Sequence, residues 1–171
     1  KKFRDITQFW LAQGVDGFRY DMAEMVPVEF WSYLNSQIKH TDPDALLLAE
    51  VYNPKLYRDY VHLGKMDYLY DKVDFYDQMK RIMQGKSDTT PLVAIQADYA
   101  DIEHHLLHFL ENHDEQRIAS PEFAGDACIG MPAMVVSATI STAPTLLYFG
   151  QEVGEKGEGN PGFGKASRPT I

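Results

Sequence analysis

Three acidic residues each close an apolar, strand-like run. Asp21 ends Gly-Val-Asp-Gly-Phe-Arg-Tyr-Asp, Glu50 ends Ala-Leu-Leu-Leu-Ala-Glu, and Asp114 ends Leu-Leu-His-Phe-Leu-Glu-Asn-His-Asp. A carboxylate is costly to desolvate where a buried strand runs out. Each of these residues alone reads equally well as a helix cap or a turn residue. Three of them in a strand–helix alternation point instead to a pocket at the carboxyl ends of parallel strands, where barrel enzymes carry their chemistry. On the first strand a period of two sets Gly17, Arg19 and Asp21 on one face and Phe18 and Tyr20 on the other. If the aromatic pair packs on helices, Arg19 and Asp21 face the pocket. The arginine then favours ionised Asp21, a nucleophile in a dry site. Glu50 has no cation near it in sequence, so burial is expected to keep it neutral and able to protonate a leaving group. Two carboxyls driven in opposite directions are the pattern of glycoside hydrolysis.

The elements that must position these residues follow from periodicity. Phe3, Ile6, Phe9, Trp10 and Gln13 have helical spacing, with Gly14 as the stop. Val15 to Tyr20 reads as a strand. Pro27 opens a helix with the apolar stripe Phe30, Trp31, Leu34 and Ile38. Asp42-Pro43-Asp44 is a turn, and Ala45 to Val51 is a strand of the kind covered on both faces. A short helix over 54–62, a short strand over 67–70 and a helix over 73–83 come next. Gly85 to Pro91 is a loop, Leu92 to His104 reads as helix and Leu106 to Leu110 as strand. Cys128 to Ile140 reads as a largely buried helix and Thr145 to Phe149 as a last strand, followed by a Gly-rich loop. Strands alternating with helices imply right-handed βαβ units and a parallel sheet. The fold class is therefore α/β, a partial TIM-type (β/α) barrel with fewer strands than the eight that closure requires.

The 171-residue chain is 44% apolar, enough for a core. Its formal charge of -9 argues against nucleic acid or an anionic membrane surface as partner and is compatible with a neutral substrate. A single cysteine, Cys128, excludes an internal disulfide framework and leaves the compartment open. No apolar run approaches the roughly 20 residues of a membrane span.

Gly17-Phe18-Arg19-Tyr20-Asp21, Ala49-Glu50 and Asn112-His113-Asp114, in this order, resemble successive signature segments of the alpha-amylase family, glycoside hydrolase family 13. Ala143 to Glu152 is similar to that family's last barrel strand. The resemblance implies a retaining glycoside hydrolase acting on α-1,4-glucans, with Asp21 as nucleophile and Glu50 as general acid and base. It implies that Asp114 grips sugar hydroxyls, that Arg19 orients Asp21, and that His113 hydrogen-bonds the sugar. Tyr52, just past Glu50, is a candidate sugar-stacking platform. A transglycosylase using the same residues is the alternative, as is an inert fragment or a sugar-binding homologue. The resemblance also implies that residues 1–171 are the later part of the barrel, from about the third barrel helix to the eighth strand. The early strands and the C-terminal β domain are then absent, and self-association through exposed sheet edges is expected. Many members follow the nucleophile with a Lys-His pair that lends a carbonyl to calcium. Here Glu24 and Met25 stand in those positions, so no metal ligand is assigned, and calcium belongs at most to a longer parent.

Other signals are discounted. His104 and His108 are four apart and could share a helix face, but no acidic partner completes a zinc motif. Gly157 to Gly162 matches a dinucleotide fingerprint formally, and Gly159 to Lys165 nearly matches a phosphate loop. Pro161 and Ala166 break these patterns, and neither opens a helix.

Overall fold

A computed structural model describes residues 1–157 of the chain. The two glycine motifs just mentioned, and the loop read beyond Gly150, therefore extend outside the described residues. The chain forms two compact units, Lys1–Tyr70 and Asp71–Ile171.

In the first unit, helix α1 (Lys2–Ala12) stops where Gly14 takes φ +90°, a conformation that glycine adopts without a Cβ penalty. Strand β1 (Gly17–Tyr20) pairs in parallel with β2 (Leu46–Ala49), and β2 pairs in parallel with β3 (Tyr68–Tyr70). Helix α2 (Val28–Thr41) crosses from β1 to β2, and the short α3 (Tyr57–His62) leads to β3. Pro27 sits at the N-cap of α2, one place before the first turn. The α2 stripe buries Trp31, Leu34 and Ile38, with Phe30 half-buried at its margin. Full burial of such side chains contributes about 1.5–3 kcal/mol each. Tyr20 packs on Trp31 with ring centroids 4.5 Å apart, and its hydroxyl donates to Asn35 Oδ1 at 2.8 Å. Asn35 Nδ2 in turn donates to Gly64 O at 2.8 Å. The outward face of β1 is thus fastened to its helix, as the period of two requires.

The strand β2 is not covered on both faces. Leu47 and Ala49 are fully buried, but Leu46 is 47% exposed and Leu48 half-buried. The apolar run identifies the strand correctly but cannot report what lies over each face.

Gly17 is fixed by a close approach. A Cβ built there would lie 2.0 Å from Leu46 O, a backbone atom of the partner strand. Gly17→Ala is therefore expected to pry β1 from β2 and cost about 2–3 kcal/mol, the range for overpacking a rigid contact. A thermal melt followed by circular dichroism checks this, and an unchanged midpoint would show that the strands can separate freely at Gly17.

In the second unit, Asp71 caps a π-helical turn, Lys72–Tyr76, by accepting from Phe75 N at 3.2 Å. The turn runs into α4 (Asp77–Met83). Helix α5 (Thr90–Asp98) ends six residues before the expected His104, and a separate 3-10 turn, Glu103–His105, precedes β4 (Leu106–Leu107). The chain turns at Tyr99, where Ile102 N donates to Tyr99 O at 2.9 Å in place of the helical bond. His104 and His108 consequently share no helix face. His108 is a buried structural residue, stacked on Phe75 at 3.8 Å with Nδ1 2.9 Å from Ser137 O.

Strand β4 is shorter than the 106–110 run. The expected strand over 145–149 reduces to one parallel bridge between His108 and Thr145, with Leu147 and Phe149 exposed. Helix α6 (Ala127–Thr139) is capped by Asp126, which accepts from Cys128 N at 2.8 Å. It buries only the small stripe Gly130, Ala133 and Ser137 and leaves Ile129, Met131 and Val135 exposed. A helix apolar all round gives no indication of which side is covered.

Candidate active site

The parallel register determines what meets at the strand ends. Tyr20 lies opposite Ala49, and Glu50 N donates to Tyr20 O at 3.0 Å, so Asp21 and Glu50 leave adjacent strands at the same level. Arg19, one pleat before Asp21, reaches both. Its Nη1 pairs with Asp21 Oδ1, and its Nη2 lies 3.5 Å from Glu50 Oε2. Burial works against the Arg19 charge, but hydrogen bonds to Asp21 and Tyr70 and the field of Glu50 outweigh it and raise its pKa. The guanidinium also lies over the Tyr70 ring, 5.6 Å from its centroid.

The structure corrects two expectations here. Glu50 is buried as anticipated, but it has a cation beside it, because Arg19 serves both carboxylates. Asp21 is 71% exposed at the side chain, so its surroundings within the first unit are wet.

The turn after β1 is shaped around Glu50. Met22 takes φ +44°, a left-handed conformation unusual for a residue with a Cβ. Its N–H donates to Glu50 Oε2 at 2.7 Å, and Ala23 N donates to Glu50 O at 2.9 Å. Backbone strain of this kind persists where surrounding contacts over-determine it. Glu24 then turns its Oε2 to the N–H groups of Tyr52 and Asn53, at 3.0 and 2.8 Å. Sequence reasoning missed the Met22 and Glu24 contacts. The departure at Glu24 was visible, but the partner of its carboxylate lies across the sheet.

In the second unit His113 and Asp114 pair with each other, Nε2 to Oδ2 at 3.2 Å, and both are partly exposed. Asn112 Oδ1 accepts from Asp114 N and Glu115 N, each at 2.9 Å, and so fixes the turn that carries Asp114. Glu115 is held by Tyr76 Oη at 2.8 Å and Lys72 Nζ at 3.1 Å. Glu111 and Arg117 form a fully buried ion pair at 2.8 Å around the same turn. Within the first unit, then, Arg19, Asp21 and Glu50 come together and the Tyr52 backbone is held by Glu24; within the second, His113 and Asp114 pair.

Among the described residues no group of three or more His, Cys, Asp or Glu side chains could hold a metal ion. The Glu24 carboxylate is occupied by two backbone amides. No described helix is long and apolar enough to cross a membrane.

Parallel strands alternating with helices, with acidic and basic side chains gathered where the strands end, define the class of (β/α) barrel enzymes. The family model for the alpha amylase catalytic domain matches residues 1–166. This chain belongs to the alpha-amylase family. It is similar to neopullulanase 2 of Thermoactinomyces vulgaris, 26% identical over 98% of this chain and 28% of that protein. It is also similar to an alpha-1,4-glucan:maltose-1-phosphate maltosyltransferase of Mycobacterium tuberculosis, 41% identical over 29% of this chain and 7% of that one. The fold matches the ligand-free cyclic alpha-maltosyl-(1→6)-maltose hydrolase of Arthrobacter globiformis with a TM-score of 0.82 and 24% identity. That match covers 97% of this chain and 38% of the other. The chain thus spans 28% of the length of the neopullulanase and 38% of that of the Arthrobacter hydrolase.

Proposed function

We propose that the protein is a retaining glycoside hydrolase acting on α-1,4-linked glucan, that is starch, glycogen or maltooligosaccharide. The observation that carries the reading is one guanidinium, Arg19, contacting two carboxylates that leave adjacent parallel strands at the same level. Retaining chemistry needs two carboxyls about 5–5.5 Å apart, a spacing that neighbouring strand ends can supply.

Asp21 attacks the anomeric carbon and forms an ester bond to it, while Glu50 passes its proton to the departing glycosidic oxygen. A water then enters from the face that the leaving group vacated, opposite Asp21, Glu50 takes its proton, and the ester breaks to return free Asp21 and a sugar of unchanged configuration. Arg19 holds the nucleophile in place and offsets its charge. By the family resemblance Asp114 grips sugar hydroxyls and His113 hydrogen-bonds the sugar, while Tyr52 offers a ring for stacking. Residues 1–171 constitute the later part of the barrel in this reading, which rests on the order of the signature segments Gly17–Asp21, Ala49-Glu50 and Asn112–Asp114.

A second reading, a transglycosylase, replaces the water by a sugar hydroxyl and is favoured by the likeness to the maltosyltransferase. The test is incubation with soluble starch and with a chromogenic maltooligosaccharide. It is run on this chain alone and on a polypeptide that carries the complete catalytic domain. New reducing ends with the α-anomer released first support hydrolysis with retention, and longer oligosaccharides without new reducing ends support transfer. A β-anomer as first product would exclude both. Glucan binding without turnover in the complete domain would assign a sugar-binding homologue.

A further inference from the structure

We propose that Glu24 is a positioning residue: it straps the Tyr52–Asn53 segment to the turn after Asp21 and so fixes where a glucan chain rests on Tyr52. This deepens the α-glucan reading and rests on it. Glu24 lies in the 3-10 turn Ala23–Met25, three residues past Asp21. The carbonyl of Ala23 is itself anchored, accepting from Trp31 Nε1 at 2.9 Å, so the turn starts from a fixed point on α2. Beyond the bonds from Glu50 N to Tyr20 O and from Ala23 N to Glu50 O, the backbone pairing between the two segments ends. The amides two and three residues past Glu50, at Tyr52 and Asn53, both donate to Glu24 Oε2.

Two N–H donors converging on one carboxylate oxygen form charge-assisted bonds, stronger than neutral ones. With the bonds from Met22 N and Ala23 N to Glu50, four contacts join the loop bearing Asp21 to the loop bearing Glu50 and Tyr52. Three of the four end on Glu50 or Tyr52, the two residues that the reading above assigns to acid chemistry and to sugar stacking. Asn53 continues the brace by accepting from Lys55 N at 3.1 Å, which starts the next helical turn. A lysine at position 24 has donors alone and would confront two N–H groups. An acceptor is required here, and a charged one binds best.

The experiment measures maltoheptaose affinity by calorimetry in protein carrying Asp21→Asn, so that no turnover intervenes. Amide hydrogen exchange at residues 52 and 53 is read in parallel. Glu24→Ala is expected to weaken maltoheptaose binding about tenfold, which corresponds to about 1.4 kcal/mol of binding free energy. It should also speed exchange at both amides. Tyr52→Ala should weaken binding similarly, and the double variant no further than the worse single one, because both act through one ring. Glu24→Gln, whose amide oxygen still accepts, should bring affinity back to within about twofold. Additive losses in the double variant would overturn the proposal, as would unchanged exchange in Glu24→Ala or failure of Glu24→Gln to restore binding. Loss of the hydrolase reading shows separately, as glucan binding without starch cleavage in protein that retains Asp21. Absence of any glucan binding overturns both.

Discussion

Asp21→Asn is expected to lower starch hydrolysis on the order of 10⁴-fold while leaving the melting temperature within a few degrees of the parent. An amide keeps the size of the carboxylate but cannot form the glycosyl ester, and loss of a nucleophile removes effects of this size. The fold tolerates the change because most of the Asp21 side chain is exposed and its main partner, Arg19, retains Glu50 and the Tyr70 ring. The measurement is kcat on a chromogenic maltooligosaccharide together with a thermal melt. Turnover close to that of the parent would remove Asp21 from the nucleophile role. A large fall in melting temperature would mean that the loss of activity reports unfolding instead.

Arg117→Ala should be the most damaging single change to stability in the second unit. Arg117 and Glu111 are both fully buried, and the guanidinium also donates to Phe149 O at 2.8 Å and lies 4.5 Å from the Tyr148 ring centroid. Removing one partner of a buried ion pair leaves the other uncompensated and costs about 3–5 kcal/mol. For a chain of this length that is a fall of roughly 10 °C in melting temperature.

The pH dependence follows from Glu111. Burial pushes its carboxyl above the usual range, and the Ile118 N–H and Arg117 pull it back only in part. A group with a raised folded pKa contributes stability that is full below its unfolded value, about 4.3, and lost as pH rises through the folded value. Arg117→Ala removes one of the influences that lower the pKa and so raises it further. The variant should therefore lose more stability at pH 7 than at pH 5. Equal losses in urea denaturation at the two pH values would show that Glu111 is not the group responsible.

The legible parts of this molecule are those that depend on local pattern. Gly-Phe-Arg-Tyr-Asp alternates small or charged residues with aromatics, and in the structure Tyr20 lies on α2 while Arg19 turns to the carboxylates. The stripe Trp31, Leu34 and Ile38 is buried because its spacing admits one helix face and no other. Where pattern was ambiguous the reading went astray. The small apolar residues of α6 suggested a buried helix, yet Ile129, Met131 and Val135 are exposed. The β-branched and aromatic run over 145–149 makes only one bridge, since a strand exists only where a neighbour supplies a ladder.

Residue types and spacing alone determined the parallel β/α frame, the carboxylates that end its strands, and the family whose signature they carry. Only the tertiary structure decided that Arg19 serves Glu50 as well as Asp21, that Glu24 ties down Tyr52, and that Glu111 and Arg117 pair in the interior. The physical reason is the range over which each is set. Propensity and periodicity act within one element, whereas these contacts depend on the register between strands and on loops folded back across the sheet. A shift of one residue in that register would turn every side chain of a strand to the opposite face.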